Sequence, residues 1–122
     1  VGNLDPRRDF SDVRDVVRGY WLALKKGKAG EVYNICSGNA LTIRQILDIL
    51  LSFAKCSIEV KVDPSRMRPS DVSVLLGSYK KFSKISGWEP AIPFERTLAD
   101  LLEYWRQRLE TTAGGNGFYS RP

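Results

Sequence analysis

The sequence predicts a mixed α/β domain of about four helices with short strands, on three observations. Apolar residues recur at steps of three and four in separate stretches, the signature of amphipathic helices. Short alternating runs bounded by Gly, Ser and Pro lie between them and read as strands. At 122 residues and 13.8 kDa, with 43% apolar and 27% charged residues, the chain matches one compact globular domain. That size excludes a two-domain enzyme.

Taken in order, the opening VGNLDPRR reads as loop, because Pro6 restricts Asp5 to extended backbone. Ser11 reads as an N-cap, with Asp12 and Asp15 where carboxylates suit the helix dipole. Val13, Val16, Val17, Tyr20, Trp21 and Leu24 then share one helix face, and Lys25, Lys26 and a left-handed Gly27 close the helix. Residues 31–36 (EVYNIC) alternate and read as a strand. Thr42 and Gln45 make a capping box for a second helix, whose apolar face is Ile43, Ile46, Leu47, Leu50 and Ala54. Residues 58–62 (IEVKV) alternate with period two and read as another strand. A loop, DPSRMRPSD, spans 63–71, and a short apolar strand follows over 72–76. Ser78 is expected to cap a short helix carrying Phe82 and Ile85, which Gly87 ends before Trp88. After the rigid EPAIP connector, the last helix runs from near Phe94 to about Glu110, with Leu98, Leu101, Leu102, Trp105 and Leu109 on one face. The Gly-rich segment 111–122 reads as disordered.

The charge balance narrows the function. Nineteen Lys and Arg against 14 acidic residues give a net charge of +5, which favours anionic partners such as a nucleotide or another phosphate ester. Neither a dense basic stripe nor a recognised motif supports nucleic acid as the partner. The absence of His excludes imidazole bases, His metal sites and Ser-His or Cys-His nucleophiles within this chain. Cys36 and Cys56 form no CxxC pair and read as buried thiols in a reducing compartment, a disulfide being the lesser alternative. No metal site is expected.

No apolar segment follows a basic start at the N-terminus, and the longest apolar stretch, 43–54, is broken by Arg44, Gln45, Asp48 and Ser52. A soluble cytoplasmic protein without membrane contact is therefore expected. The first residue, Val1 and not Met, suggests a trimmed polypeptide. Trp21, Trp88, Trp105, Tyr20 and Tyr104 read as core residues and not as stacking surfaces for bases. The GGNG at 114–117 follows a helix where a phosphate-cradling loop would precede one.

Two constellations could carry binding chemistry. Arg7, Arg8, Asp9 and Phe10 stand immediately before a helix, where an Arg fork and helix N–H groups can meet a phosphate. An Arg–Asp ion pair capping the helix is the competing reading. In the 63–71 loop, Arg66 and Arg68 make an anion clamp, while Asp71 could accept hydrogen bonds from the two hydroxyls of a ribose. Here the alternative is a solvated basic loop.

The segments GNLDPRRDFSDVRDVV, EVYNICSG, LTIRQILDILL, VDPSRMRPSDV, SGWEP and FERTLADLLEYWR, in that order, resemble the C-terminal part of the extended short-chain dehydrogenase/reductases. Within that superfamily the chain is most similar to the GDP-mannose 4,6-dehydratases and GDP-6-deoxy-4-keto-hexose reductases, over about residues 1–107. The resemblance implies an incomplete Rossmann core. Residues 1–37 would be the closing helix and strand of the nucleotide-binding half, residues 38–110 a small substrate-binding domain, and 111–122 an unassigned tail.

The same resemblance implies that Arg8 and Arg68 contact nucleotide phosphates, that Asp71 holds ribose hydroxyls and that Asn3 lies near the substrate. Phe10 stands where the family has an aromatic beside the first Arg. The family's Gly-rich cofactor turn, catalytic Ser or Thr and YxxxK pair lie upstream of the matched region and are absent from this sequence. No catalytic residue and no cofactor site are therefore expected here, and NAD(P) belongs to the parent enzyme. Relatives on the dehydratase side often have Glu in place of Asp71, so dehydratase and reductase both stay open. The implied ligand is a GDP-linked hexose. The implied partner is the missing N-terminal half or a second copy, and the alternative function is a truncated module acting by self-association or partner binding without catalysis.

Overall fold

Three short strands form a sheet in the order β2-β1-β3 in the computed structural model, which describes residues 1–67 and 72–113. The central strand β1 (Arg7–Asp9) runs antiparallel to β2 (Ala40–Thr42), pairing Arg7 with Thr42, Arg8 with Leu41 and Asp9 with Ala40. On its other side β1 runs parallel to β3 (Val74–Leu75), pairing Arg7 with Val74 and Arg8 with Leu75. The Arg7 amide also donates to the Ser73 carbonyl at 2.8 Å. β1 and β2 were not expected, because three-residue strands are too short to show a period of two.

Around the sheet lie α1 (Val13–Lys26), α2 (Ile43–Ser52), α3 (Lys80–Ser86) and α4 (Phe94–Ala113), with a 3-10 turn at Pro64–Arg66. The α2 capping box is present: the Gln45 amide donates to Thr42 Oγ1 at 3.0 Å and the Thr42 amide to Gln45 Oε1 at 2.8 Å. Gly87 ends α3 in the left-handed region, at φ 73°. Other boundaries differ from expectation. Asp12, not Ser11, caps α1. Gly27 is extended (φ −64°, ψ 145°) instead of left-handed, and a Cβ there would stand 2.4 Å from the Ala23 carbonyl oxygen, which explains the glycine by clearance. The residue before α3 is Tyr79, without a side-chain cap, where Ser78 was expected to cap. α4 continues through Ala113, three residues into the tail expected to be disordered, and 114–122 lie outside the described residues.

Two expected strands do not form ladders among the described residues. Residues 58–62 are tied to the chain start, where the Val1 ammonium donates to the Lys61 carbonyl and the Asp63 amide to the Val1 carbonyl, both at 2.8 Å. Residues 31–36 carry no strand assignment and are tied down at their ends, by the Glu31 amide to the Lys28 carbonyl and the Ser37 amide to Asp9. A strand is completed by a neighbour's ladder, and no described residue supplies one here.

The core is built on Trp88 and Phe82, both fully buried, with Leu4, Ala40 and Leu98. The Trp88 indole N–H donates to the Asp15 carbonyl at 3.0 Å, and Tyr79 meets its ring edge-on at 5.6 Å. α1 approaches this core through Asp15 and Gly19, its only buried residues. A Cβ at Gly19 would lie 2.9 Å from Ile35 Cδ1 and 3.1 Å from Trp88 Nε1. Consequently the predicted apolar face of α1 points outward, and Val13, Val17, Tyr20, Trp21 and Leu24 are all exposed. Tyr104 and Trp105 are exposed as well, so Trp88 alone of the five aromatics expected in the core is buried. The two cysteines are free thiols, Cys36 half-buried and Cys56 exposed, against the expectation that both are buried. No helix among the described residues is long and apolar enough to cross a membrane.

Candidate functional site

Arg8 occupies the middle of β1, flanked by Leu41 on β2 and Leu75 on β3. Its guanidinium donates to the Arg7 carbonyl at 2.8 Å. Asn3 lies on the loop leading into β1, and its side-chain oxygen accepts from the Asp5 amide at 3.0 Å, so it serves its own turn. Arg68 and Asp71 lie outside the described residues, but both flanks of their loop are placed. Before it, Asp63 caps the 3-10 turn by accepting from the Ser65 amide at 2.9 Å and the Ser65 hydroxyl at 2.7 Å. These Ser65 bonds hold the Asp63 carboxyl below its ordinary value. After it, β3 lies alongside β1. The fold therefore brings the exit of the loop beside Arg8, some 60 residues earlier in the chain. Asn3 is not placed with Arg8 around any described cleft. Phe10 stacks on Phe94 of α4, with ring centroids 5.4 Å apart.

The ion pair foreseen as the competing reading at the α1 entrance exists, though with other partners. Arg14 pairs with Asp12 at 2.7 Å and with Asp100 of α4 at 2.8 Å.

Sequence reasoning named Asp9 only within the Arg7–Phe10 constellation and gave it no role of its own. Its carboxylate accepts from the Ser37 amide at 2.7 Å, the Ser37 hydroxyl at 2.6 Å, the Gly38 amide at 2.9 Å and the Gly77 amide at 3.3 Å. The partners stand 28 to 68 residues away, so no local spacing could reveal them. Gly77 is required at this junction, since a Cβ there would stand 2.6 Å from Cys36 Sγ. Burial, and then the Asp9 charge, push the Cys36 thiol above its ordinary value. An open cleft of about 470 Å³ lies on one side, bounded by Asp9, Tyr20, Cys36, Leu75 and Gly77. A second, of about 350 Å³, is lined by Ser37, Gly38, Gly77, Ser78, Tyr79 and Lys80. Among the described residues no group of three or more His, Cys, Asp or Glu side chains could hold a metal ion.

With this geometry in view, the relatives are informative. The family model described as GDP-mannose 4,6 dehydratase matches residues 1–101. The chain is 38% identical over 109 residues to the GDP-6-deoxy-D-mannose reductase of Pseudomonas aeruginosa, covering 89% of this chain and 36% of that protein. It is 26% identical over 105 residues to GDP-mannose 4,6 dehydratase 1 of Arabidopsis thaliana, covering 84% and 29%. Among solved structures, RMD from Pseudomonas aeruginosa, complexed with NADPH, superposes with a TM-score of 0.83 at 36% identity, over 88% of this chain and 35% of that one. The UDP-glucose 4-epimerase of Thermotoga maritima, solved with UDP-glucose, superposes with a TM-score of 0.79 at 34% identity, over 88% and 34%. The chain thus spans about a third of the length of these relatives. A match over residues 1–101, together with a sheet and helices that superpose on these enzymes, establishes that the chain belongs to the GDP-mannose 4,6-dehydratase family of extended short-chain dehydrogenase/reductases.

Proposed function

We propose that this chain is the GDP-sugar-binding portion of a nucleotide-sugar dehydratase or reductase, with hydride chemistry carried out by residues outside it. The observation that carries the reading is the family match to residues 1–101 by relatives that are three times as long. In this reading Arg8 and Arg68 bind the diphosphate by charge-assisted hydrogen bonds, Asp71 accepts from the ribose hydroxyls, and Asn3 lies toward the sugar. Residues 1–37 complete the nucleotide-binding half and 38–110 form the substrate domain. Such a grip acts at a distance from the reaction: by fixing the nucleotide end, it sets where the hexose ring lies.

The chain's own residues do not suit a nicotinamide dinucleotide. Its sequence contains no Gly-x-Gly-x-x-Gly, and the β3-to-α3 turn offers the single glycine Gly77 where a pyrophosphate is cradled by several.

Calorimetric titration of the chain with GDP, GMP and ADP tests the proposal. GDP is expected to bind most tightly, and Arg8→Ala or Arg68→Ala to weaken it by about 1.5–3 kcal/mol each, as for a hydrogen bond to a charged group. Equal, weak binding of all three nucleotides, indifferent to both substitutions, would refute it. A second reading, a self-associating module without catalysis, is favoured by one observation: the apolar face of α1 lies open next to the unladdered segment 31–36.

A further inference from the structure

We infer that residues 32–36 are the contact of a closed dimer, pairing antiparallel with the same residues of a second copy of this chain about a two-fold axis at Asn34. The inference names the contact behind the self-association reading above and rests on it. The amides of Val32, Tyr33, Asn34, Ile35 and Cys36 donate to no described residue, and of their five carbonyls only that of Val32 accepts, from Lys81 at 2.9 Å. Facing nevertheless alternates as it does in a strand. Tyr33 packs on Phe82, with ring centroids 5.6 Å apart, and Ile35 reaches Gly19, whereas Val32 and Asn34 are exposed. A row of unpaired amides on such a segment is a template for a strand from another chain.

The five residues suit a copy of themselves. Antiparallel pairing about Asn34 sets Tyr33 opposite Ile35, an aromatic–β-branched pair of the kind that stabilises sheets, and Val32 opposite Cys36. No residue from Val32 to Ile43 is charged, so the two copies bring no like charges face to face. α1 packs on the Ile35 side of the segment, so a two-fold axis sets both α1 helices on one face of the joined strands. Tyr20 and Leu24 line an open groove of about 620 Å³ beside Tyr33, and there the stripe of one copy meets that of the other. Val17, Tyr20, Leu24 and Val32 are 54 to 83% exposed. At about 150–250 Å² for a whole aromatic side chain and less for the aliphatics, they offer roughly 400 Å² per copy. That is half of the roughly 800 Å² per partner in a standard interface, so the dimer is expected to have micromolar affinity and to dissociate in dilute solution. The same patch serves on both copies, and the assembly closes at two.

Sedimentation equilibrium of the whole 122-residue chain, from low to high micromolar concentration, tests this, with circular dichroism to follow folding. The parent is expected to pass from monomer to dimer. Asn34→Lys and Asn34→Asp each set like charges opposite one another across the axis, and each is expected to weaken dimerisation about fivefold. Mixed in equal amounts, the two variants set Lys against Asp and are expected to dimerise about as tightly as the parent. Hydrogen exchange gives a second readout that needs no substitution: the amides of residues 32–36 in the parent should exchange about tenfold more slowly in concentrated than in dilute solution. A parent that dimerises with both variants unaffected, with a mixture no tighter than either variant alone, or with exchange at 32–36 unchanged overturns the inference and leaves self-association to another face. A parent that stays monomeric throughout overturns the self-association reading as well, and leaves the open edge to the rest of a longer chain.

Discussion

Asp12 is 4% exposed and accepts four hydrogen bonds, from the Arg14 amide and from Arg14 Nε at 2.8 and 2.9 Å, and from Arg14 Nη2 and the Thr97 hydroxyl at 2.7 Å each. Chiefly through the Arg14 guanidinium, and against the cost of burial, its carboxyl is held well below the usual carboxylate range. In Asp15 burial pushes the value up, but bonds from Arg18 and from the Ile92 and Ala91 amides prevail and leave it lowered. A carboxylate depressed below its unfolded value of about 3.9 adds stability that is complete above that pH and is lost as pH falls toward the folded pKa. Acid unfolding is therefore expected to set in below about pH 4. Asp12→Asn, which loses the N-cap charge and the bond geometry to Arg14 and Thr97, should cost about 2 kcal/mol at pH 7. The gap should close as pH drops below about 4, because proton uptake by Asp12 in the unfolded parent offsets the advantage of the charge kept in the folded state. Thermal melts from pH 2 to 7 check both points, and a gap of equal size at either end would show that the ionised carboxylate is not its source.

At the scale of elements, α1 shows both what the sequence discloses and where it stops. Its periodicity marks the helix and its basic end, and Asp15 in its first turn is present as expected. Periodicity also selects the wrong face for burial, because a helix can dock through its smallest residue: Gly19 admits Trp88 and Ile35 where a stripe of large side chains would hold them off. For 31–36 the alternation is real, yet a ladder is a property of two segments, and the sequence of one cannot disclose whether the other is present. The capping box at Thr42 and the stop at Gly87 were legible because they depend on residues three or four apart, whereas the Asp9 junction depends on residues 28 and 68 apart. Of the candidate site, Arg8 was placed on β1 by the fold, while its β-strand setting was hidden by the charged sequence RRD. Lys81 guards the open segment beside α1, donating to Glu31 at 2.6 Å and to the Val32 carbonyl at 2.9 Å, a charge placed as proteins place them on unpaired edges. Leu24, 83% exposed on the outward stripe, offers a clean test. Leu24→Lys should change thermal stability by no more than about 0.5 kcal/mol, as at other exposed sites. In sedimentation, a self-associating chain is expected to become monomeric on this substitution. A parent chain that sediments as a monomer at every concentration would dispose of the self-association reading.

For the molecule as a whole, the exposed apolar surface is the telling feature. Val17, Tyr20, Trp21 and Leu24 on α1, Val32 beside it, and Leu75 and Leu76 across the cleft are all exposed. These residues flank the segment 31–36, so one covering surface would meet the stripe and the open backbone together, as expected for a chain that spans about a third of its relatives' length. A thin core has a measurable consequence. The slope of stability against denaturant scales with the area exposed on unfolding, and a chain that already exposes this much has less left to uncover. Urea unfolding of the isolated chain is expected to be broad, with a slope near the low end of the roughly 1–3 kcal/mol/M range of small proteins. The native chain should also bind anilinonaphthalene sulfonate, and acrylamide should quench Trp21 and Trp105 while sparing the buried Trp88. A steep transition with no dye binding would mean that the α1 stripe is covered in solution, and would remove the structural support for a missing partner surface.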